Sequence, residues 1–247
     1  MGFVIGIDEV GRGSLAGPVM VCAALVMCQV SGIRHHDGER KIPLRDSKKL
    51  TAKQREKWFA HLTAHPKIQF ALARVYPKTI DRINISRAAN LASLRAFRKL
   101  TRQANITSGK CAIYLDGGLY LGAQRGSTRI RTRMSADGKN QQISTFPISA
   151  SICVGNLRIS ATTVIRGDEK IPAITIASII AKVTRDRLMV RLAKKHPHYG
   201  FEVHKGYGTL RHRRAIKKHG PSKAHRLTFL DFLKNSKPKR RNFSRKS

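Results

Sequence analysis

Acidic side chains are scarce in this 247-residue chain: 14 Asp and Glu stand against 49 Lys and Arg, a formal net charge of +35. So basic a chain is drawn to polyanions by counterion release, which points to nucleic acid without saying what is done to it. With so few acids, any that touch one another need a reason. Cysteine is also sparse. Cys22, Cys28, Cys111 and Cys153 show no C-x-x-C spacing, which excludes a zinc ribbon or a disulfide framework and leaves reduced, buried thiols. No apolar run is long enough to cross a bilayer, and the longest candidate, Val19 to Val30, is too short. A strand pattern that begins at residue 3 leaves no secretory signal peptide. These absences predict a cytoplasmic protein, or one on the nucleoid of a cell without a nucleus. The hydrophobic share of 41% still suffices for one large or two small domains with a proper core.

The most informative stretch runs from Gly6 to Pro18, Gly-Ile-Asp-Glu-Val-Gly-Arg-Gly-Ser-Leu-Ala-Gly-Pro. It sets Asp8 and Glu9 side by side at the end of a short apolar strand. Adjacent carboxylates repel, and a bound cation is the simplest relief. Gly11, Gly13 and Gly17 follow at once, and small residues let backbone N–H groups approach a phosphate or a sugar closely. Successive side chains alternate on a strand, so Glu9 is expected where the strand is already breaking into the glycine loop.

The remaining pattern is α/β. Strands are predicted at Phe3–Asp8, Val19–Cys28, Ile68–Val75 and Cys111–Leu115. Thr51 with Gln54 forms a capping signature for a helix to about His65, with Trp58, Phe59 and Leu62 as its apolar stripe. A second helix is predicted from Ser86 to about Gln103, with Ala89, Leu91, Leu94, Phe97 and Leu100 near one face. Further strands are expected at Ile143–Ile152 and Leu157–Ile165. Pro172 suits the first turn of a long helix reaching about Lys195. Two basic helical stretches follow, and Lys234 to Ser247 is a tail of Lys, Arg and polar residues with no acid, read as disordered.

Two more acids stand out by position. Asp116 closes the Cys111–Leu115 strand before Gly117-Gly118, and Asp168 follows Gly167 at the end of a Thr162–Arg166 strand. Carboxylates at strand ends of an α/β sheet collect on one edge, where ligands bind. Each alone could be a turn or cap residue; with Asp8 and Glu9 they outline a two-metal site. Two ions roughly 3.5–4 Å apart can activate an attacking water and stabilise a leaving oxygen. Magnesium suits such a site, because it takes few protein carboxylates and lets a substrate phosphate complete its shell.

These blocks resemble type 2 ribonuclease H (ribonuclease HII). Asp8-Glu9-Val-Gly-Arg-Gly with Leu15-Ala16-Gly17-Pro18 is similar to the family's opening motif. Asp46-Ser47-Lys48-Lys49-Leu50, Leu115-Asp116-Gly117, Gly167-Asp168 with Ala177-Ser178-Ile-Ile-Ala-Lys182-Val-Thr-Arg185-Asp186, and His204-Lys205-Gly206-Tyr207-Gly208-Thr209 are similar to its later motifs, in the family's order. The resemblance spans residues 3 to about 230. It implies an RNase H-like fold, a mixed central sheet flanked by helices, with a helical C-terminal region. It further implies cutting of RNA in RNA–DNA hybrids and of single ribonucleotides in duplex DNA, leaving 3′-hydroxyl and 5′-phosphate ends, with two Mg²⁺ or Mn²⁺ ions.

By the same resemblance Asp8, Glu9, Asp116 and Asp168 are the metal-binding and catalytic acids. Gly11, Arg12 and Gly13 would read the ribose 2′-hydroxyl, chiefly through backbone groups, and Arg12 favours type 2 over type 3. Tyr207 would stack on the neighbouring sugar. Sensing the 2′-hydroxyl by close backbone approach also fits the residues on their own, since that group alone separates RNA from DNA. Lys48, Lys49, Lys182 and Lys205 are either phosphate contacts or solvated charges, and Asp186 is expected to pair with a nearby Arg.

The expected organisation is a catalytic core over 1–195, a substrate-binding helical region over 196–233, and a basic tail over 234–247. The chain departs from the family in a basic insertion within about 122–161. The tail shows no aromatic-ended clamp-binding peptide, and a monomer is expected. Two other readings use the same residues: a non-catalytic basic nucleic-acid-binding protein whose acids are structural, and another nuclease of the RNase H-like fold with no use for a 2′-hydroxyl reader.

Overall fold

A computed structural model describes residues 3–27, 35–37, 40–42, 44–106, 111–121, 149–154 and 157–234. The strands are β1 (Phe3–Val10), β2 (Val19–Met27), β3 (His35–Asp37), β4 (Arg40–Ile42), β5 (Ile68–Val75), β6 (Cys111–Asp116), β7 (Ser149–Val154) and β8 (Leu157–Val164). The helices are α1 (Ala52–Ala64), α2 (Pro77–Ile83), α3 (Ile85–Gln103), α4 (Gly167–Lys170), α5 (Pro172–Lys195), α6 (Phe201–His204), α7 (Leu210–His219) and α8 (Asp231–Lys234). Most of the predicted insertion and all but the first residue of the predicted tail lie outside the described residues.

Six strands form one mixed sheet in the order β5-β2-β1-β6-β8-β7, and β3 with β4 makes a separate pair. β1 is antiparallel to β2 and parallel to β6, and β6 is parallel to β8. Strand β2 is apolar throughout because both its faces are covered. Val19, Val21, Ala23 and Leu25 point into one core layer against α3, while Cys22, Ala24 and Val26 point into the other against α1 and α5. The Thr51–Gln54 capping box is present, and α5 begins on Pro172 as predicted.

Three expectations change. β1 does not break at Glu9: its pairing with β2 continues in register through Glu9↔Val21 and Val10↔Met20. The contact face of α3 is built from Ala88, Ala89, Ala92, Ser93, Ala96, Phe97 and Leu100, while Leu91 and Leu94 are only half-buried. Small residues let the helix lie close to the sheet, so the larger leucines are turned aside. Asp168 sits in α4, four residues beyond the end of β8, after a turn in which Arg166 takes a left-handed conformation.

The C-terminal elements do not stand apart from the sheet. Leu15, Ala16 and Met20 share a core with Leu188 and Met189 of α5 and with Phe201, Ile216 and Ala224. Isolated backbone bridges join Ser14 to Tyr207 and Ala16 to His225. A buried histidine chain supports this junction. The Ser222 N–H donates to His225 Nδ1 at 2.9 Å, His225 meets His212 through their Nε2 atoms at 3.1 Å, and His212 Nδ1 lies 2.9 Å from the Tyr207 carbonyl. These partners assign both rings as neutral, with His225 donating to His212 and His212 donating to Tyr207.

Candidate active site

The parallel register of β1 and β6 builds the site. Ile7 pairs with Leu115, so the next residues, Asp8 and Asp116, fall together on the α5 side of the sheet. Glu9 alternates to the other side, yet β6 ends at Asp116, and the longer glutamate side chain reaches the same point across that end. Carboxylate oxygens of Asp8, Glu9 and Asp116 lie within 4.8 Å of one another. The regular strand therefore delivers both adjacent acids without the predicted break.

Burial and mutual repulsion make this cluster electrostatically uncomfortable. The Asp8 carboxyl is pushed well above the usual carboxylate range by burial, then by Glu9 and Asp116, with Ser178 partly offsetting this by a hydrogen bond. Glu9 is also raised, chiefly by burial, although Arg12 opposes the shift. Arg12 Nη1 lies 3.2 Å from Glu9 Oε1, and the same guanidinium reaches Gly118 O and Ser86 Oγ. Glu9 Oε2 is buried and, among the described residues, has no hydrogen-bond partner. A buried oxygen without a donor, in a group of three acids, belongs to the kind of donor set that a hard divalent cation satisfies.

Asp168 lies outside that cluster. Its backbone neighbour, the Gly167 N–H, donates to Asp116 Oδ1 at 2.8 Å, which ties α4 to the end of β6. The Asp168 carboxyl is buried and raised, first by burial and then by Asp116 and Asp46, while Lys48 opposes the shift. Lys48 Nζ stands 3.4 Å from Asp168 Oδ2, with most of its side chain in solvent. Asp46 caps the 3₁₀ turn over Ser47–Lys49 that carries this lysine. The other basic candidates also have partners: Lys49 pairs with Glu169 at 2.8 Å, and Lys205 Nζ donates to the Glu202 carbonyl. Lys182 pairs with Asp186 at 3.0 Å, one helical turn along α5, so the partner of Asp186 is a lysine and not the expected arginine.

Of the predicted reader residues, Gly11 adopts φ +85°, and a Cβ there would meet Arg185 Nε at 2.1 Å. Gly13 is exposed with open space around it. Tyr207 is 37% exposed. Lys182 Nζ and Arg185 Cζ lie 5.7 and 5.6 Å from its ring centroid. Sequence reasoning missed Ser178 as a partner of Asp8 and missed Arg226 altogether. Nothing local distinguishes Arg226 from the other basic residues.

Known proteins resemble this chain in sequence and in fold. The family model described as Ribonuclease HII matches residues 5–232. The ribonuclease HII of Caldicellulosiruptor bescii is 37% identical over 229 residues, 92% of this chain and 86% of that protein. Among solved structures, the ribonuclease H2 of Pyrococcus horikoshii superposes with a TM-score of 0.61 at 21% identity, covering 94% of this chain and 99% of that one. Bst-RNase HIII, solved in complex with Mn²⁺, superposes at 0.57 with 18% identity, covering 94% of this chain and 68% of that one. These structural likenesses establish the RNase H-like fold. Matched by the family model from residue 5 to residue 232, and more than one-third identical to a relative over nearly the whole sequence, the chain belongs to the ribonuclease HII family.

Proposed function

We propose that the protein cuts the RNA strand of RNA–DNA hybrids and single ribonucleotides embedded in duplex DNA, leaving 3′-hydroxyl and 5′-phosphate ends. The coarser activity, a divalent-metal-dependent endoribonuclease acting on RNA–DNA hybrids, follows from membership of the family. The observation that carries the reading is the Asp8, Glu9 and Asp116 cluster with its unsatisfied Glu9 oxygen. Asp168 serves as the fourth acid, placed beside Asp116 through the Gly167 N–H. The Mn²⁺-bound fold neighbour supports a divalent cation here. Two Mg²⁺ or Mn²⁺ ions, when bound, would polarise the scissile phosphate and ease deprotonation of the attacking water.

The protein's own groups hold and orient. Arg12 fixes one oxygen of Glu9 and leaves the other for the cation. Lys48, on its capped turn, offers a solvent-facing ammonium beside the site for a substrate phosphate. Gly11, Arg12 and Gly13 present backbone to the ribose 2′-hydroxyl, and Tyr207 offers its exposed ring to the adjacent sugar. The functional division is a catalytic core over 1–195 and a substrate-binding region over 196–233. Among the described residues no helix is long and apolar enough to cross a membrane.

A gel assay tests the whole reading. A duplex with one embedded ribonucleotide, the same duplex in all-DNA form and an RNA–DNA hybrid are incubated with and without Mg²⁺. Cutting of the first and third, only with metal, is the expected result. Binding without product would establish the non-catalytic alternative, and cutting of the all-DNA duplex would establish a nuclease of different specificity.

A further inference from the structure

Arg185 and Arg226 are both fully buried, and neither forms an ion pair with a carboxylate among the described residues. Burying an unpaired charge is costly unless every N–H finds an acceptor. Here the acceptors are backbone carbonyls. Arg226 donates from Nε to Gly17 O at 3.0 Å, from Nη1 to Arg12 O at 2.8 Å and from Nη2 to Gly11 O at 2.7 Å. Arg185 donates to Pro18 O, Lys205 O and Ala16 O at 3.0, 3.0 and 3.1 Å. Burial pulls the Arg226 guanidinium down to about 9, which still leaves it charged at neutral pH.

The direction of these bonds matters more than their number. In a trans peptide the carbonyl of one residue and the N–H of the next point opposite ways, and the described chain has no cis bond. Drawing the Gly11 and Arg12 carbonyls inward therefore turns the Arg12 and Gly13 N–H groups away from Arg226. Among the described residues neither N–H donates to a backbone carbonyl. In the Gly11–Arg12 and Arg12–Gly13 peptides the carbonyls are occupied, and the N–H groups have no backbone carbonyl partner.

We propose that Arg226 is a specificity-determining positioning residue that polarises the Gly11–Gly13 loop, so that its two peptides turn N–H donors toward a ribose 2′-oxygen. This rests on the reading of that loop as the ribose sensor. A deoxyribose offers these donors no acceptor, and a loop free to flip its peptides would lose the contrast. Arg226 touches no substrate; it acts through the peptides it holds. Lysine cannot replace it, because a single ammonium cannot meet three carbonyls in the planar fork geometry of a guanidinium.

The test compares equilibrium binding, in EDTA so that nothing is cut, to a duplex with one embedded ribonucleotide and to the same duplex in all-DNA form. The wild-type protein is expected to prefer the ribonucleotide. Arg226→Lys keeps the charge and should move the ratio of the two dissociation constants toward one, by up to roughly tenfold, the worth of one hydrogen bond to the hydroxyl. Its affinity for all-DNA duplex should stay unchanged and its thermal melt cooperative. If that variant does not fold, Arg226→Gln, whose one amide group has two N–H donors for three carbonyls, reads the same ratio. A folded variant with the wild-type ratio, or with equal losses on both duplexes, overturns the proposal and leaves the loop reading intact. A wild-type ratio of one overturns the loop reading itself, and this proposal with it.

Discussion

At the scale of single residues, the carboxylate cluster is stability given up for charge. Asp8 is buried among like charges, and its Oδ1 accepts the Glu9 N–H at 2.7 Å, a bond that an asparagine oxygen would keep. Asp8→Asn should therefore raise the metal-free thermal midpoint by roughly 2–4 °C, the shift that ~1 kcal/mol gives in a chain of this size. The same variant should abolish cutting and leave affinity for duplex intact, since removing a negative charge does not weaken attraction to a polyanion. Glu9→Gln, Asp116→Asn and Asp168→Asn should likewise lose activity and keep binding. A calorimetric scan and a cleavage gel on the same samples check both halves. Wild-type cutting by Asp116→Asn and Asp168→Asn together would remove them from the metal site.

At the scale of elements, β1 and α5 meet where Gly6 faces the first turn of the helix. A Cβ on Gly6 would stand 2.1 Å from the Ala173 carbonyl carbon and 2.3 Å from the Ile174 nitrogen, and backbone cannot step aside. Gly6→Ala should cost about 3 kcal/mol or more, read as a fall in the urea midpoint. The histidine chain through His212 and His225 gives a second expectation. Burial lowers both to about 4, from the usual histidine value near 6.5. Between those values the unfolded chain binds more protons than the folded one, so stability rises with pH. It should be fully present above pH 6.5 and be lost progressively as pH falls toward 4, measurable as a declining urea midpoint. A flat profile across that window would contradict the neutral assignment of the pair.

Local signals in the sequence carried most of these elements. The capping box of α1, the eight residues of β5 and the proline start of α5 are short-range features, and each lies where it was predicted. Asp116 at the end of β6 and the adjacency of Asp8 and Glu9 were legible for the same reason. The rest depends on distant partners. The contact face of α3 is set by how closely the sheet lets it approach, so alanines displaced the leucines that hydrophobicity favours. Asp168 is expected at the end of a strand and sits in α4 instead, because the left-handed turn at Arg166 leaves no mark in the β-branched run before it. Arg226 was invisible because its bonds reach back 209 to 215 residues.

At the scale of the whole molecule, charge sets association. The segment from Lys234 to Ser247 carries Lys and Arg and no acid. Its deletion should flatten the dependence of log K on log salt, with each lost phosphate contact changing the slope by roughly 0.9. The cleavage position should not move, because phosphate contacts hold register without reading sequence or sugar. Filter binding across a salt series, with product sizing, separates these outcomes. An unchanged slope would make the segment a solvated one, and a moved cut would mean that specificity also resides there.

The Arg226 bonds have a consequence for the order of synthesis. The loop beside Asp8 and Glu9 leaves the ribosome before the guanidinium that holds its peptides, which comes 215 positions later. Chains emerge at roughly 5–20 residues per second, and what has emerged begins to fold. The sheet can assemble around β1 in that interval, but the loop waits for its clamp. A growing chain thus carries its acids long before it can hold the loop beside them.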